Sequence, residues 1–364
     1  MRFDENFFTP YKIECNTSYI DSLDSYISEY ISQSNLILDF LLEKKLLLEE
    51  SKSFYTKILN DNKFEIINIF KSFLTSKRKE AHDKFYYLIN SNLKLLNPVF
   101  KNSELSSNRT KFYRVRIDSG IKNDRVLDEK HSLFHIPYNL RYLVSNGRFN
   151  PIGIPCLYVS SKPSIAIKET LSGYNYDSLN VNDNLNVAIF TNIKDVNILD
   201  FSLVNLNTLL ERFLSYDDSD NKSILLTYIS IYPIIISFHT RVNYGDHKNN
   251  VKFKYEYLIP SLFIDWFISY NENTNRENFS SNNYYLKYSS VHSLYPSSDF
   301  NYVFFSRELS NDSNYCPILE RLFLNRYKYL FNDTFKEYDP KLLHYSSELD
   351  LLLLDDYILA FSDL

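Results

Sequence analysis

The chain has 364 residues, 44% of them hydrophobic and 23% charged, and carries a formal net charge of −5. That length exceeds one ordinary core and implies two domains or one elaborated domain. The acidic balance argues against a nucleic-acid binder, whose affinity rests on neutralising phosphates, and the three scattered cysteines (Cys15, Cys156, Cys316) argue against a disulfide framework or a structural zinc site.

The N-terminal stretch MRFDENFFTPYK lacks the pattern of a signal peptide, because an acidic pair interrupts its short apolar run. From Ser18 to about Leu96 the texture is helical. Ile20, Leu23, Ile27 and Ile31 recur at helical spacing, and Leu36, Phe40 and Leu41 form a second stripe. No Pro or Gly falls between Tyr11 and Asn97, so three helices joined by polar turns, such as one at Asn60–Lys63, would bury these stripes against one another. Residues 101–110 read as a linker.

Beyond the linker the pattern changes. Phe112–Ile117 (FYRVRI) alternates like a strand; Cys156–Val159, Val187–Thr191, Val196–Phe201, Val291–Tyr295 and Tyr302–Phe305 read as further strands, and Val204–Leu214 as a helix. The longest apolar run, Ile224–Phe238, contains Pro233 and is shorter than the ~20 residues a bilayer span needs, so a buried segment and a cytoplasmic, membrane-free protein are expected. Strands mixed with short helices indicate an α+β protein. From Asn311 the chain returns to a helical texture that ends in the acidic, leucine-rich stretch Glu348–Leu364. The expected domains are a helical one at 1–108, a ligand-binding one at 109–310, and a helical extension at 311–364.

Residues 133–169 gather the chemistry. Ser161 as cap, Pro163 in the first turn and Gly173 as stop define a helix over about 162–171, which carries Glu169 near its end. Arg148 lies in Gly147-Arg-Phe-Asn-Pro, between turn residues, and its guanidinium is a rigid fork suited to phosphate. Tyr158 sits in the strand LYVS on the face opposite Leu157 and Val159, with a ring to stack and a hydroxyl to donate. Ser297 and Ser298 follow Tyr295-Pro296, and with no nucleophile elbow nearby they read as hydroxyl donors. A cationic fork, a ring and a carboxylate together suit cleavage of an N-glycosidic bond, in which a carboxylate stabilises an oxocarbenium-like state. A leaving group that departs neutral, as nicotinamide would, needs no strong general acid, and one carboxylate is then enough.

These residues resemble the RES domain family. The resemblance runs through Tyr113-Arg114-Val115, Phe134–Pro137, Arg148-Phe149, Gly153, Leu157-Tyr158, Glu169, Glu256–Pro260, Tyr295-Pro296-Ser297, Asn301 and the strand Tyr302–Phe305, and it covers about residues 110–310. It implies an ADP-ribosyltransferase-like mixed β core preceded by an N-terminal helical domain and followed by a helical C-terminal tail. It also implies a bacterial toxin of a toxin–antitoxin pair that degrades NAD by hydrolysis or phosphorolysis, with NAD as substrate and with no further cofactor or metal. By carry-over, Arg148 would grip the phosphates, Tyr158 would position the nicotinamide ribose, Glu169 would stabilise the cation, and Ser297 would hydrogen-bond the ligand, with Arg116 a lesser candidate. ADP-ribose transfer to a macromolecule is the alternative reaction. A non-catalytic module led by the N-terminal helices, which would form a homodimer or dock the antitoxin protein, is the alternative class.

Overall fold

The computed structural model describes residues 2–101, 103–105, 110–118, 133–150, 153–172, 184–215, 219–245, 251–274, 284–293, 298–306 and 314–330. In chain order these form β1 (Lys12–Glu14), α1 (Tyr19–Glu43), α2 (Glu49–Leu74), α3 (Arg78–Lys101), β2 (Ser103–Leu105), β3 (Lys111–Asp118), β4 (Cys156–Ser160) and α4 (Pro163–Ser172). There follow β5 (Asn184–Asn192), β6 (Val196–Asp200), α5 (Leu206–Ser215), α6 (Ser219–His239), β7 (Arg241–Asn243), α7 (Leu258–Thr274), β8 (Tyr284–Ser289), β9 (Phe300–Phe305), α8 (Pro317–Leu322) and β10 (Phe323–Leu330). The fold is α+β, with N-terminal helices and a mixed sheet.

The chain divides into two compact units, and the division departs from the expected boundaries at 108 and 310. The helical unit comprises Met1–Asn102, Gly147–Pro151 and Phe201–Ser280; the sheet unit comprises Ser103–Asn146, Ile152–Asp200 and Ser281–Leu364. Residues 201–280 join the N-terminal helices because α6 is apolar nearly all round: Leu225, Ile229, Ile231, Tyr232, Ile234, Ile235 and Phe238 are all fully buried. A helix without a polar face needs other helices around it. The stretch Lys222–His239 has the length and hydropathy of a bilayer span, and 78% of it is buried inside the protein.

Within the helical unit, Ser18 caps α1 by accepting from the Asp21 amide at 3.4 Å. Lys45 (φ 60°) ends α1, and Ser76 (φ 66°) makes the turn between α2 and α3. The turn expected at Asn60–Lys63 is instead the middle of α2. Asn62 is buried there and hydrogen-bonds Asn92 of α3 and the Ser230 carbonyl of α6, so a residue that reads as a loop signal is a buried cross-link. Tyr30 of α1 likewise donates to the Ile229 carbonyl.

Among the described residues the sheet unit holds eight strands in the order β10-β5-β3-β4-β9-β8-β6-β2. Only β6 and β8 run parallel; the other neighbours are antiparallel. One face buries Phe112, Leu157, Val159, Ala188, Phe190, Ile198, Tyr285, Tyr302 and Phe304. Alternation sends Tyr113, Val115, Tyr158, Ser160, Tyr288 and Asn301 to the opposite face. There α4 packs, with Ile165, Ala166 and Ile167 buried and the Thr170 hydroxyl donating to the Val115 carbonyl at 3.0 Å.

Two elements differ from expectation. The segment at 291–293 is a turn, and the strand precedes it as β8. After 311 the described chain forms the short α8 and then β10, which pairs with β5 from Phe323↔Asn192 to Leu330↔Leu185. The alternating sequence FLNRYKYL favours an edge strand over a helix once β5 offers a partner. The tail beyond Leu330 and Gly173 lie outside the described residues.

Candidate functional site

β3 and β5 pair along their whole shared length, from Lys111↔Thr191 to Asp118↔Asn184. β3 and β4 share a single pair, Tyr113↔Ser160. Past that pair the sheet parts, and a pocket of about 330 Å³ opens beside α4. Binding pockets for small ligands start near ~300 Å³. Tyr113, Arg114, Val115 and Arg116 of β3 line it, together with Tyr158–Ser160 of β4, Ala166, Glu169 and Thr170 of α4, Tyr288 of β8 and Asn301 of β9.

Glu169 is the centre of the polar wall. Its Oε1 accepts from the Ser290 hydroxyl at 2.6 Å and from the Asn301 side-chain amide at 2.7 Å. Asn301 is buried, and its own Oδ1 accepts from the Ser160 hydroxyl at 2.6 Å. The carboxylate itself fixes which end of the amide faces it, because the reverse orientation would set two acceptors against each other, and the Ser160 hydroxyl can then donate to the remaining Oδ1. His292 Nε2 lies 3.7 Å from Oε2 of the same carboxylate. Ser161, expected as the cap of α4, is used otherwise: its Oγ accepts from the Phe300 amide and its amide donates to the Phe300 carbonyl, so it ties β4 to β9. This places Asn301 one residue from a fixed point.

The cationic wall comes from β3. Arg114 Nη1 is closed off from solvent and has no hydrogen-bond partner among the described residues. Burial, and then Arg116 alongside, push this guanidinium well below its usual range; Cys156 and Tyr158 are its other electrostatic neighbours. An arginine stays charged in proteins, so the shift expresses the cost of a desolvated and incompletely paired cation. An unmet buried donor costs about 1–3 kcal/mol, and more when charged. An anionic group in the pocket would ease the charge part of that cost by attraction across the wall, since the enclosed Nη1 itself does not reach a ligand there. Cys156 is no candidate nucleophile: burial pushes its thiol up to about 12.

Of the residues expected from the sequence, Arg116, Tyr158 and Glu169 line this one pocket. Arg148 belongs to the helical unit. There it is buried, its Nη1 donates to the carbonyls of Phe238 at 2.8 Å and Glu256 at 3.4 Å, and the guanidinium lies 5.2 Å from the Tyr257 ring centre. Ser297 lies outside the described residues; Ser298 bonds its neighbour Asp299 at 3.2 Å. Sequence reading missed Ser160, Ser290, His292 and the orphaned end of Arg114. The last had a signal: in FYRVRI both arginines alternate with apolar residues, which is costly in a strand at the middle of a sheet unless a pocket receives them.

A family model for the RES domain matches residues 124–222. The match contains Arg148, Tyr158 and Glu169 and is narrower than the 110–310 carried by the motifs. The chain is also 27% identical over 158 residues to a protein of Bacillus subtilis (strain 168) named "Putative toxin YopC", an alignment covering 43% of this chain and 32% of that relative. The chain thus spans about a third of the length of the curated relative it matches. No solved structure matches it. These findings bear out the resemblance read from the motifs.

Proposed function

We propose that the pocket beside α4 binds NAD and cleaves its nicotinamide–ribose bond, and that this is the toxic activity of a cytoplasmic protein restrained by an antitoxin protein. The observation that carries the reading is the Glu169 carboxylate, oriented by Ser290 and Asn301, in one pocket with Tyr158 and the β3 arginines. In this reading the C–N bond breaks with its electron pair going to nicotinamide, which departs neutral. The ribose C1′ becomes cationic, and water or phosphate attacks it and loses a proton to solvent. The nicotinamide ring already bears this charge in the substrate, so the carboxylate acts on its shift toward the ribose; a unit pair at about 4 Å and an effective dielectric near 20 is worth about 4 kcal/mol, which caps the effect at roughly 10³ in rate.

Arg114 and Arg116 supply positive charge for the pyrophosphate, and the Tyr158 ring and hydroxyl suit the nicotinamide ribose. Arg148, to which the resemblance gives the phosphates, is held on the Phe238 and Glu256 carbonyls within the helical unit and has no part in this reading.

The test is to incubate the purified chain with NAD, with and without phosphate, and to measure nicotinamide by chromatography. Release by wild type and a loss of at least ~10² in rate in Glu169→Gln are expected. No release under either condition refutes the reading. Labelled NAD separates breakdown, which leaves the label on a small molecule, from transfer to a macromolecule.

A further inference from the structure

The two oxygens of Glu169 have different surroundings. Oε1 is held by two neutral donors, Ser290 at 2.6 Å and Asn301 at 2.7 Å, whereas Oε2 is approached by His292 Nε2 at 3.7 Å. That separation is too long for a hydrogen bond and short enough for a charge on the ring to be felt. The side chains are 19% and 29% exposed, so solvent screens the pair only in part.

The ring is held there by its turn. The His292 amide donates to Ser290 Oγ at 3.3 Å, which is the same hydroxyl that bonds Glu169. The Ser290 amide donates to the Asp299 carbonyl at 2.8 Å, and the Ser293 hydroxyl donates to the Asp299 carboxylate. Asp299 also forms an ion pair with Lys162 at 2.7 Å. The charged groups around the turn are therefore Glu169 from α4, the paired Asp299 and Lys162, and Arg114 and Arg116 on the β3 side of the pocket.

We propose that His292 is a positioning residue acting through Glu169: protonated, it pairs with Oε2 and offsets the carboxylate's charge; neutral, it leaves that charge to act on the ligand. A histidine is suited to this because its ordinary titration lies near pH 6.5. The link to turnover rests on the NAD reading above, whereas the pairing itself does not. As pH falls through the imidazole's titration the carboxylate loses its effect on a developing cation, so turnover falls with it.

Imidazole resonances of the intact chain, followed by NMR from about pH 5 to about pH 9, test the pairing without any ligand. The His292 signal is the one lost in His292→Gln. Its midpoint should fall by at least ~0.5 pH unit in Glu169→Gln, because an adjacent carboxylate favours the protonated ring; an unchanged midpoint overturns the proposal. The NAD cleavage rate should drop about tenfold between about pH 8 and about pH 5.5 in wild type, and by less than about twofold in His292→Gln. Equal drops in both overturn the link to turnover. A shifted midpoint with no NAD cleavage at any pH upholds the pair and refutes the NAD reading.

Discussion

Asn301→Ala probes the scaffold of the pocket most directly. The side chain is 3% exposed, donates to Glu169 at 2.7 Å and accepts from Ser160 at 2.6 Å. A hydrogen bond to a charged group is worth about 1.5–3 kcal/mol, and the orphaned Ser160 hydroxyl costs about 1–3 kcal/mol unless water replaces the amide. A loss of about 3 kcal/mol is expected. With an m-value of about 2–3 kcal/mol per M, the urea midpoint should fall by roughly 1 M, read by far-UV circular dichroism. The carboxylate's share is isolated by a double-mutant cycle with Glu169→Gln. A coupling of about 1–2 kcal/mol is expected for groups in direct contact. Coupling below ~0.5 kcal/mol would show that Asn301 does not hold the carboxylate, and the description of the wall would fail.

Two further outcomes follow from burial. Tyr19, Tyr30 and Tyr232 of the helical unit all have phenols raised by desolvation. Above about pH 10 the unfolded chain has shed protons that the folded chain keeps, so each buried phenol removes about 1.4 kcal/mol of stability per pH unit. Stability present below pH ~10 should therefore fall steeply above it, with tyrosinate absorbance appearing in step with loss of helicity; early ionisation of these rings in the folded protein would contradict their burial. A thiol reagent should label the exposed Cys15 quickly, and Cys156 and Cys316 only on unfolding. Mass mapping of the labelled peptides distinguishes the three.

Periodicity made the local elements legible. The amphipathic stripes of α1–α3 and the alternation in β3, β4, β5 and β9 are short-range patterns, and the structure places these elements where the patterns lie. What failed depended on partners far along the chain. Asn62 reads as a turn until Asn92 and the Ser230 carbonyl are brought to it. FLNRYKYL reads as helix until β5 presents an edge. Glu169 and Tyr158 were legible because each sits on a short element with an obvious face. Ser290 and His292 were not, because their meaning depends on a turn bringing them to a carboxylate more than a hundred residues earlier.

The way Glu169 is held bears on what it can do. The Ser290 hydroxyl and the Asn301 amide orient the carboxylate, and as neutral donors they add no positive charge of their own. The scaffold has cations to spend elsewhere: Lys162 pairs with Asp299, and Lys287 with Asp200 at 2.7 Å. The arginines of β3 stand on another strand of the pocket wall, and one of them is left with an unmet donor. A ligand that is anionic at one end and carries at the other a positive charge that moves from a leaving ring to a ribose during reaction would suit both. A uniformly anionic ligand would be attracted by the β3 arginines and opposed by Glu169, so exchanging Glu169 for Gln should tighten inorganic pyrophosphate, a probe with no cationic end, while slowing NAD cleavage. Weaker pyrophosphate binding in that variant, measured by calorimetry, would refute this division of charge.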